Sequence, residues 1–191
     1  MDDHSLLGFI TQHVSPTDEE WADLVGKLQI ERFSKGDKLI VLGRPCARLY
    51  FVVEGLARHY FYNLDHEEMT TWFSGPGGLI TDYASFTINN SSKFEVQALT
   101  NMSCFCIDHL DLAALYDQSK TWERLGRLIN QTYLIQLIER NNSMFTKSAR
   151  QRYQEFFQQH GHLFNIVPLK HIASYLGITI ETLSRLRNNS Y

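Results

Sequence analysis

Apolar residues recur along the chain with three different rhythms. Ser15-Pro16-Thr17-Asp18-Glu19-Glu20 has the form of a helix start, with Pro in the first turn and Thr17 and Glu20 at capping-box spacing. Trp21, Leu24, Val25 and Leu28 follow at helical intervals, which predicts a helix ending near Gln29. From Ile30 to Asp108 the rhythm shortens. Seven runs rich in Val, Ile, Phe, Tyr and Thr alternate with Gly, Pro, Asn and Asp turns: IERF, KLIVL, RLYFVVE, LARHYFY, EMTTWF, FEVQAL and MSCFCI. Short strands at such regular spacing predict a β-sandwich or barrel.

Beyond Leu110 the helical period returns. Leu110, Leu112, Ala113 and Leu115 predict a short helix, and Trp122 to Phe145 predicts a long one. No proline interrupts Thr121–Val167, and Gly126 is the one glycine before Gly161. Leu125, Leu128, Ile129, Leu134, Ile135, Leu137 and Ile138 spread over more than one stripe. One stripe suffices to cover the sandwich; the other predicts a dimer in which this helix packs on its twin. Lys147–His160 reads as a further helix with Ala149, Tyr153, Phe156 and Phe157 on its apolar face and Gly161 as its C-cap.

The last stretch, VPLKHIASYLGITIETLSRLRNNSY, carries the most specific spacing. Leu169–Leu176 predicts a helix with Ile172, Ala173 and Leu176 inward. Gly177 permits a left-handed turn, Thr179 can cap a second helix, and Leu183 and Leu186 point that helix inward. A small residue, a Gly four later, and apolar residues six and nine after the Gly are what a helix-turn-helix requires. The outward face is then Thr179, Ile180, Glu181, Ser184, Arg185 and Asn188. Arg can grip guanine bidentately and Glu can accept from cytosine, while Lys170, His171, Thr182 and Arg187 are placed for phosphates.

Charge changes the picture next. The net charge of −3 for 191 residues by itself disfavours nucleic acid. Residues 1–146, however, hold 12 basic and 19 acidic side chains, and residues 147–191 hold 6 and 2, with His160, His162 and His171 besides. An acidic body joined to a basic tail predicts a sensor or assembly module attached to an anion-binding one. A tail of only +4 predicts few phosphate contacts and a shallow salt dependence. The acidic start, MDDHSLLGFI, is not that of a secretory signal, and no apolar run reaches membrane-spanning length. These features predict a cytoplasmic protein. Cys46, Cys104 and Cys106 read as buried free thiols; Cys104 and Cys106, on one strand, share a face.

With these residues in hand, the whole chain resembles the Crp/Fnr family of bacterial transcriptional regulators. FSKGDKLIVLGRPCARLYFVVEGLARHYF is similar to that family's glycine-punctuated β-roll, with Gly36, Gly43 and Gly55 at the turns, and ITIETLSRLRN is similar to its recognition helix. The resemblance implies an α+β fold in three parts. Residues 1–118 form N-terminal helices and an antiparallel, jelly-roll-like sensor β-roll of the cyclic-nucleotide-binding kind. Residues 119–146 form a dimerisation helix, and residues 147–191 a small all-α helix-turn-helix domain. With the recognition helix so close to Tyr191, that domain is expected to lack the family's terminal wing. It further implies DNA and RNA polymerase as partners, and Glu181 and Arg185 at base-contacting positions.

Two departures from the family matter. Where nucleotide-binding members carry a Gly-Glu pair, this chain has Thr81-Asp82, and where they carry Arg-Ser it has Ser92-Lys93. A bound phosphate needs a positive partner or aligned N–H donors. Lys93 sits one residue off, so tight cyclic AMP binding is not expected. Thr81, Asp82, Tyr83, Ser92, Lys93 and Glu95, with Phe86 and Phe94 beside them, remain as a pocket for another effector or none. At the DNA end, Ile180 stands where an Arg is usual, which turns one base contact apolar and suits a thymine methyl.

Two other readings stay open. A cupin-like enzyme would need metal ligands on the β-roll, where His59 and His66 are the only histidines. A ligand-binding module that no longer regulates DNA would account for a missing wing. The reading adopted has no catalytic residues, no metal and no assigned cofactor. It is a homodimer that recognises an inverted repeat and is shifted between two arrangements by an unknown effector.

Overall fold

A computed structural model describes residues 4–88 and 90–188. Met1–Asp3, which begin the segment read above for a signal, Asn89, and the terminal Asn189–Tyr191 fall outside the described residues. Two compact units emerge, residues 1–59 with 73–132 and residues 60–72 with 133–191.

The first unit is built on strands. The elements in order are α1 (His4–Thr11), α2 (Asp18–Lys27), β1 (Gln29–Phe33), β2 (Lys38–Ile40), β3 (Arg48–Glu54), β4 (Ala57–Tyr62), β5 (Glu68–Ser74), β6 (Leu79–Ile80), α3 (Tyr83–Ile88), β7 (Glu95–Ala98), β8 (Met102–Asp108), α4 (His109–Gln118) and α5 (Lys120–Thr146). Two four-stranded sheets form, ordered β1-β8-β3-β6 and β2-β7-β4-β5. The pairings β1–β8, β3–β8, β3–β6 and β2–β7 are all antiparallel. Each of the seven expected runs supplies a strand. The two-residue β6 was too short to announce itself by alternation.

The period of two explains the layering. Tyr50 and Val52 of β3 and Met102, Cys104 and Cys106 of β8 point into a core shared with Ile40, Ala57, Ile80, Val96 and Ala98. Phe51, Phe105 and Ile107 point the other way, into a second core closed by Leu6 and Ile10 of α1, Leu24 of α2, Leu115 of α4, and Trp122 and Leu125 of α5. The three thiols are buried and free. Burial pushes Cys104 up to about 12 and raises Cys106 as well, so both are inert apolar filler. At the β3–β4 turn Gly55 has φ +94, and a Cβ there would run into the backbone of Asn101 and Met102, so only glycine fits. The Thr17 capping box of α2 is present, with Thr17 Oγ accepting from Glu20 N–H and the Glu20 carboxylate accepting from Thr17 N–H.

The second unit is helical apart from the β4–β5 hairpin residues. After the C-terminal half of α5 come α6 (Ala149–His160), a 3₁₀ turn (Gly161–Asn165), α7 (Leu169–Leu176) and α8 (Ile180–Asn188). Ser148 caps α6 through a capping box with Gln151. Gly161 follows α6 but is not a left-handed cap: at φ −55 and ψ −31 it carries the chain on into the 3₁₀ turn. The tight turn lies instead at Gly177, with φ +64. The stripe that α5 carries in this unit stays uncovered: Leu134, Ile135, Leu137 and Ile138 are each more than half exposed.

Candidate nucleic-acid interface and effector pocket

The helix-turn-helix forms as its spacing dictates. Ile172, Ala173 and Leu176 of α7 are buried, and Leu183 of α8 is 0% exposed against them. The Gly177 and Ile178 amides close the turn by donating to the carbonyls of Ser174 and Ala173. Thr179 Oγ1 accepts from Thr182 N–H at 3.2 Å and so caps α8. With Leu183 inward, Ile180, Glu181, Ser184, Arg185, Arg187 and Asn188 lie on exposed positions, as do Thr179 and Lys170, while Thr182 is half-buried. The Arg185 guanidinium donates to Thr182 Oγ1 at 3.2 Å, which aims it along the outer face. The Thr179 hydroxyl and the Glu181 backbone N–H hold the Glu181 carboxyl below the ordinary carboxylate range, the backbone hydrogen bond most of all. Arg187 lies over the Phe164 ring at 5.5 Å, which keeps its stem on the domain surface. Ile180, an apolar side chain 47% exposed at the start of α8, is the feature that folding alone does not require.

One expected contact does not survive. His171 is buried and faces the domain interior, so it is not placed for phosphate. The helical period that puts Ile172 and Leu176 inside carries its neighbour on the same arc with them.

In the first unit, the residues expected to line an effector pocket separate into two sets. Asp82 and Ser92 meet: the Ser92 hydroxyl donates to Asp82 Oδ2 at 2.7 Å, and Asp82 Oδ1 accepts from Ser85 N–H at 3.1 Å. All three residues are buried. Asp82 thereby caps α3 and fastens the β7-side loop to it. Thr81 donates to the Arg48 carbonyl at 3.1 Å, and the buried Glu95 pairs with Lys38, Nζ to Oε2 being 2.8 Å. Tyr83 and Lys93 are exposed and stand outside this buried set. Tyr83 instead accepts at its hydroxyl from Asn130 of α5 at 3.3 Å. Nearby, His59 hydrogen-bonds to Ser74 Oγ at 3.0 Å and stacks on Phe94. Burial pushes His59 down to about 4, so the ring is neutral at ordinary pH. Sequence reasoning missed Ser85, Lys38 and His59 in this neighbourhood; Ser85 is met by Asp82 in the first turn of α3, whereas Lys38 meets Glu95 through the β2–β7 pairing.

A cleft of about 430 Å³ opens in the second unit, with Trp72, Arg140, Lys147, Arg152, Glu155 and Tyr175 among its walls. Its cations are engaged by the protein itself: Lys147 pairs with Glu155 at 2.7 Å, and both arginines donate to backbone carbonyls. Among the described residues no group of three or more His, Cys, Asp or Glu is placed to hold a metal ion. Among the described residues no helix is long and apolar enough to cross a membrane.

Two packed antiparallel sheets, a long helix and a helix-turn-helix make up an architecture shared with known proteins. Residues 30–119 match the cyclic nucleotide-binding domain family, and the chain as a whole has the fold of the Crp/Fnr regulators. FixK2 from Bradyrhizobium japonicum superposes with a TM-score of 0.75 at 18% identity, over 85% of this chain and 83% of that one. CLP from Xanthomonas campestris, a c-di-GMP-responsive global regulator, gives 0.71 at 13% identity over 91% of each chain. A protein assigned to the crp/fnr family of transcriptional regulators from Eubacterium rectale gives 0.71 at 15% identity, over 90% and 82%. CLP and the Eubacterium rectale protein are described as regulators. No curated protein sequence matches the chain significantly.

Proposed function

We propose that the chain is a sequence-specific DNA-binding transcriptional regulator that acts as a homodimer and answers to an effector other than cyclic AMP. The observation that carries this reading is the outer face of α8. An apolar Ile180, an acid, two hydroxyls, an Arg and an Asn stand in a row on a short helix whose inner side is fully buried at Leu183. That set matches the chemistry of base edges: Arg185 for guanine, Glu181 for cytosine, Ser184 for either, and Ile180 for a thymine methyl. Thr179, Thr182, Asn188, Arg187 and Lys170 at the margins suit phosphates.

Dimerisation is supported by α5. Leu134, Ile135, Leu137 and Ile138 fall on one side of the helix and are uncovered, which a long helix in water does not sustain alone. Two such helices packed together present two recognition helices to successive major grooves about 34 Å apart. RNA polymerase contact and a cytoplasmic setting belong to the same reading.

Thr81, Asp82, Tyr83, Ser92, Lys93 and Glu95 are assigned to the effector pocket. Asp82 already accepts from Ser92 and Ser85, and Glu95 already pairs with Lys38, so a ligand there must replace contacts the protein makes with itself. The exposed Tyr83 and Lys93 are the groups able to meet it first. The test of the function is selection of bound sequences from a random duplex pool. Enrichment of an inverted repeat supports the proposal; binding without selectivity at low salt favours a roll-containing ligand-binding protein with no regulatory role.

A further inference from the structure

The last three residues of α7 before the Gly177 turn are each held by a different element. Ser174 is bound by β5, the last strand of its sheet, whose outward backbone groups have no neighbouring strand. The Ser174 hydroxyl accepts from Thr70 N–H at 2.8 Å and donates to the Glu68 carbonyl at 3.1 Å, so it takes the place of a strand at two successive edge groups. Tyr175 is bound by α5: Arg140 Nη2 donates to its carbonyl at 2.8 Å, and the guanidinium lies 3.7 Å from the centre of its ring. Leu176 is bound by α6: Arg152 Nε donates to its carbonyl at 2.9 Å, while Nη1 donates to the Lys147 carbonyl at 2.6 Å.

The physics of these contacts is the same. The last carbonyls of a helix have no partner within it, and they carry the negative end of its dipole. Two guanidinium groups meet both needs at once. Met144, one turn beyond Arg140 on α5, completes the seat: a Cβ on Gly177 would lie 2.5 Å from its Cε, so the turn is packed against that helix. Of the three anchors only Arg140 belongs to α5, the helix assigned to the dimer. Arg152 lies on α6, the helix just before the helix-turn-helix, and Ser174 faces a hairpin.

We infer that Arg140 is a positioning residue that locks the helix-turn-helix to the C-terminal half of α5, and so sets the half-site spacing that the dimer accepts. This rests on the DNA-binding reading above. One base pair of spacing moves a half-site by about 3.4 Å and turns it by roughly a tenth of a turn, so a loosened Arg140 joint would let the recognition helices follow such a change.

The test uses the full chain and the duplex it selects from a random pool, together with versions of that duplex carrying one base pair more or less at the centre. The wild type is expected to lose at least tenfold in affinity on either change. Arg140→Gln is expected to lose less than threefold, with affinity for an isolated half-site unchanged. Arg140→Lys keeps one donor for the Tyr175 carbonyl but no plane for its ring, and should fall between. In the free protein, amide exchange at Gly177 and Ile178 should quicken at least tenfold in Arg140→Gln, while the rest of α5 is unchanged. Wild-type spacing discrimination in both variants would overturn the inference alone, as would an equal loss on half-site and full site. A wild type that selects no duplex would overturn the DNA-binding reading and the inference with it.

Discussion

Two regions of the chain, the roll and α8, treat their polar side chains in opposite ways. In the roll, Asp82, Ser85, Ser92, Glu95 and Lys38 are turned on one another, and the acceptors a ligand would need are already occupied. On α8, Ile180, Glu181, Ser184 and Asn188 are turned outward, while Leu183 is fully buried and Leu186 partly so. A polar group inside a fold must be satisfied by the fold. One outside can wait for a partner. The polar groups of the roll are thus satisfied within the fold, while those of α8 are left for a partner, and substitutions in each region should have opposite consequences.

If α5 joins the proposed dimer, the largest effect is expected on its stripe, because its loss would separate the two half-sites' readers. Ile138→Glu combined with Leu134→Glu should yield a monomer by light scattering and weaken operator binding more than a hundredfold, since one recognition helix alone retains few contacts. A variant that stays dimeric would show that the stripe serves something else. Next comes Asp82→Ala, which leaves the Ser85 amide without its side-chain acceptor and the Ser92 hydroxyl with only the Phe94 carbonyl to donate to. Losing hydrogen bonds to a buried charged acceptor should cost about 2–3 kcal/mol in urea unfolding, with operator affinity unchanged wherever the protein is folded. Arg185→Ala should reverse the pattern, leaving stability within about 0.5 kcal/mol while costing about 1–3 kcal/mol of binding and relaxing preference at one base pair. Equal losses on specific and random DNA would remove its assigned role.

The smallest effect is a pH dependence from the roll. His59 is depressed from its ordinary value to about 4 by burial, so the folded state holds the neutral ring. The stability that the neutral ring secures is complete above about pH 6.5, and is lost as pH falls from there toward 4, because the unfolded chain takes up the proton first. The slope added is at most about 1.4 kcal/mol per pH unit. Urea unfolding at pH 7 and pH 5 checks it: the gap between the two should shrink in His59→Asn, and an unchanged gap would locate the acid sensitivity elsewhere.

The contrast also explains what the sequence made legible. The helix-turn-helix is local, so Ala173, Gly177, Thr179 and Leu183 announced their places by spacing alone. The strands of the roll did so through their turns, with Gly36, Gly43 and Gly55 all at positive φ. What stayed hidden depends on partners distant in the chain. The Lys38–Glu95 pair joins residues through the β2–β7 pairing, and the Arg140 and Ser174 contacts join helix, hairpin and turn. Asp82 was legible as a polar group in the pocket, but its use as cap of α3 was not, because Ser92 reaches it from another loop. Gly161 does cap α6 where its place in the sequence puts it, but in a right-handed conformation that leads into the 3₁₀ turn, which the sequence did not announce.

The central claim is that the outward face of α8 reads DNA as one half of a symmetric pair. Its most direct measurement is selection from a random duplex pool by the full-length protein, followed by titration of the enriched site against random DNA. The account predicts a two-fold-symmetric site with half-site centres one helical turn or a multiple of it apart, bound at least about a thousandfold more tightly than random sequence. No enrichment, or an enriched site without two-fold symmetry, would contradict it.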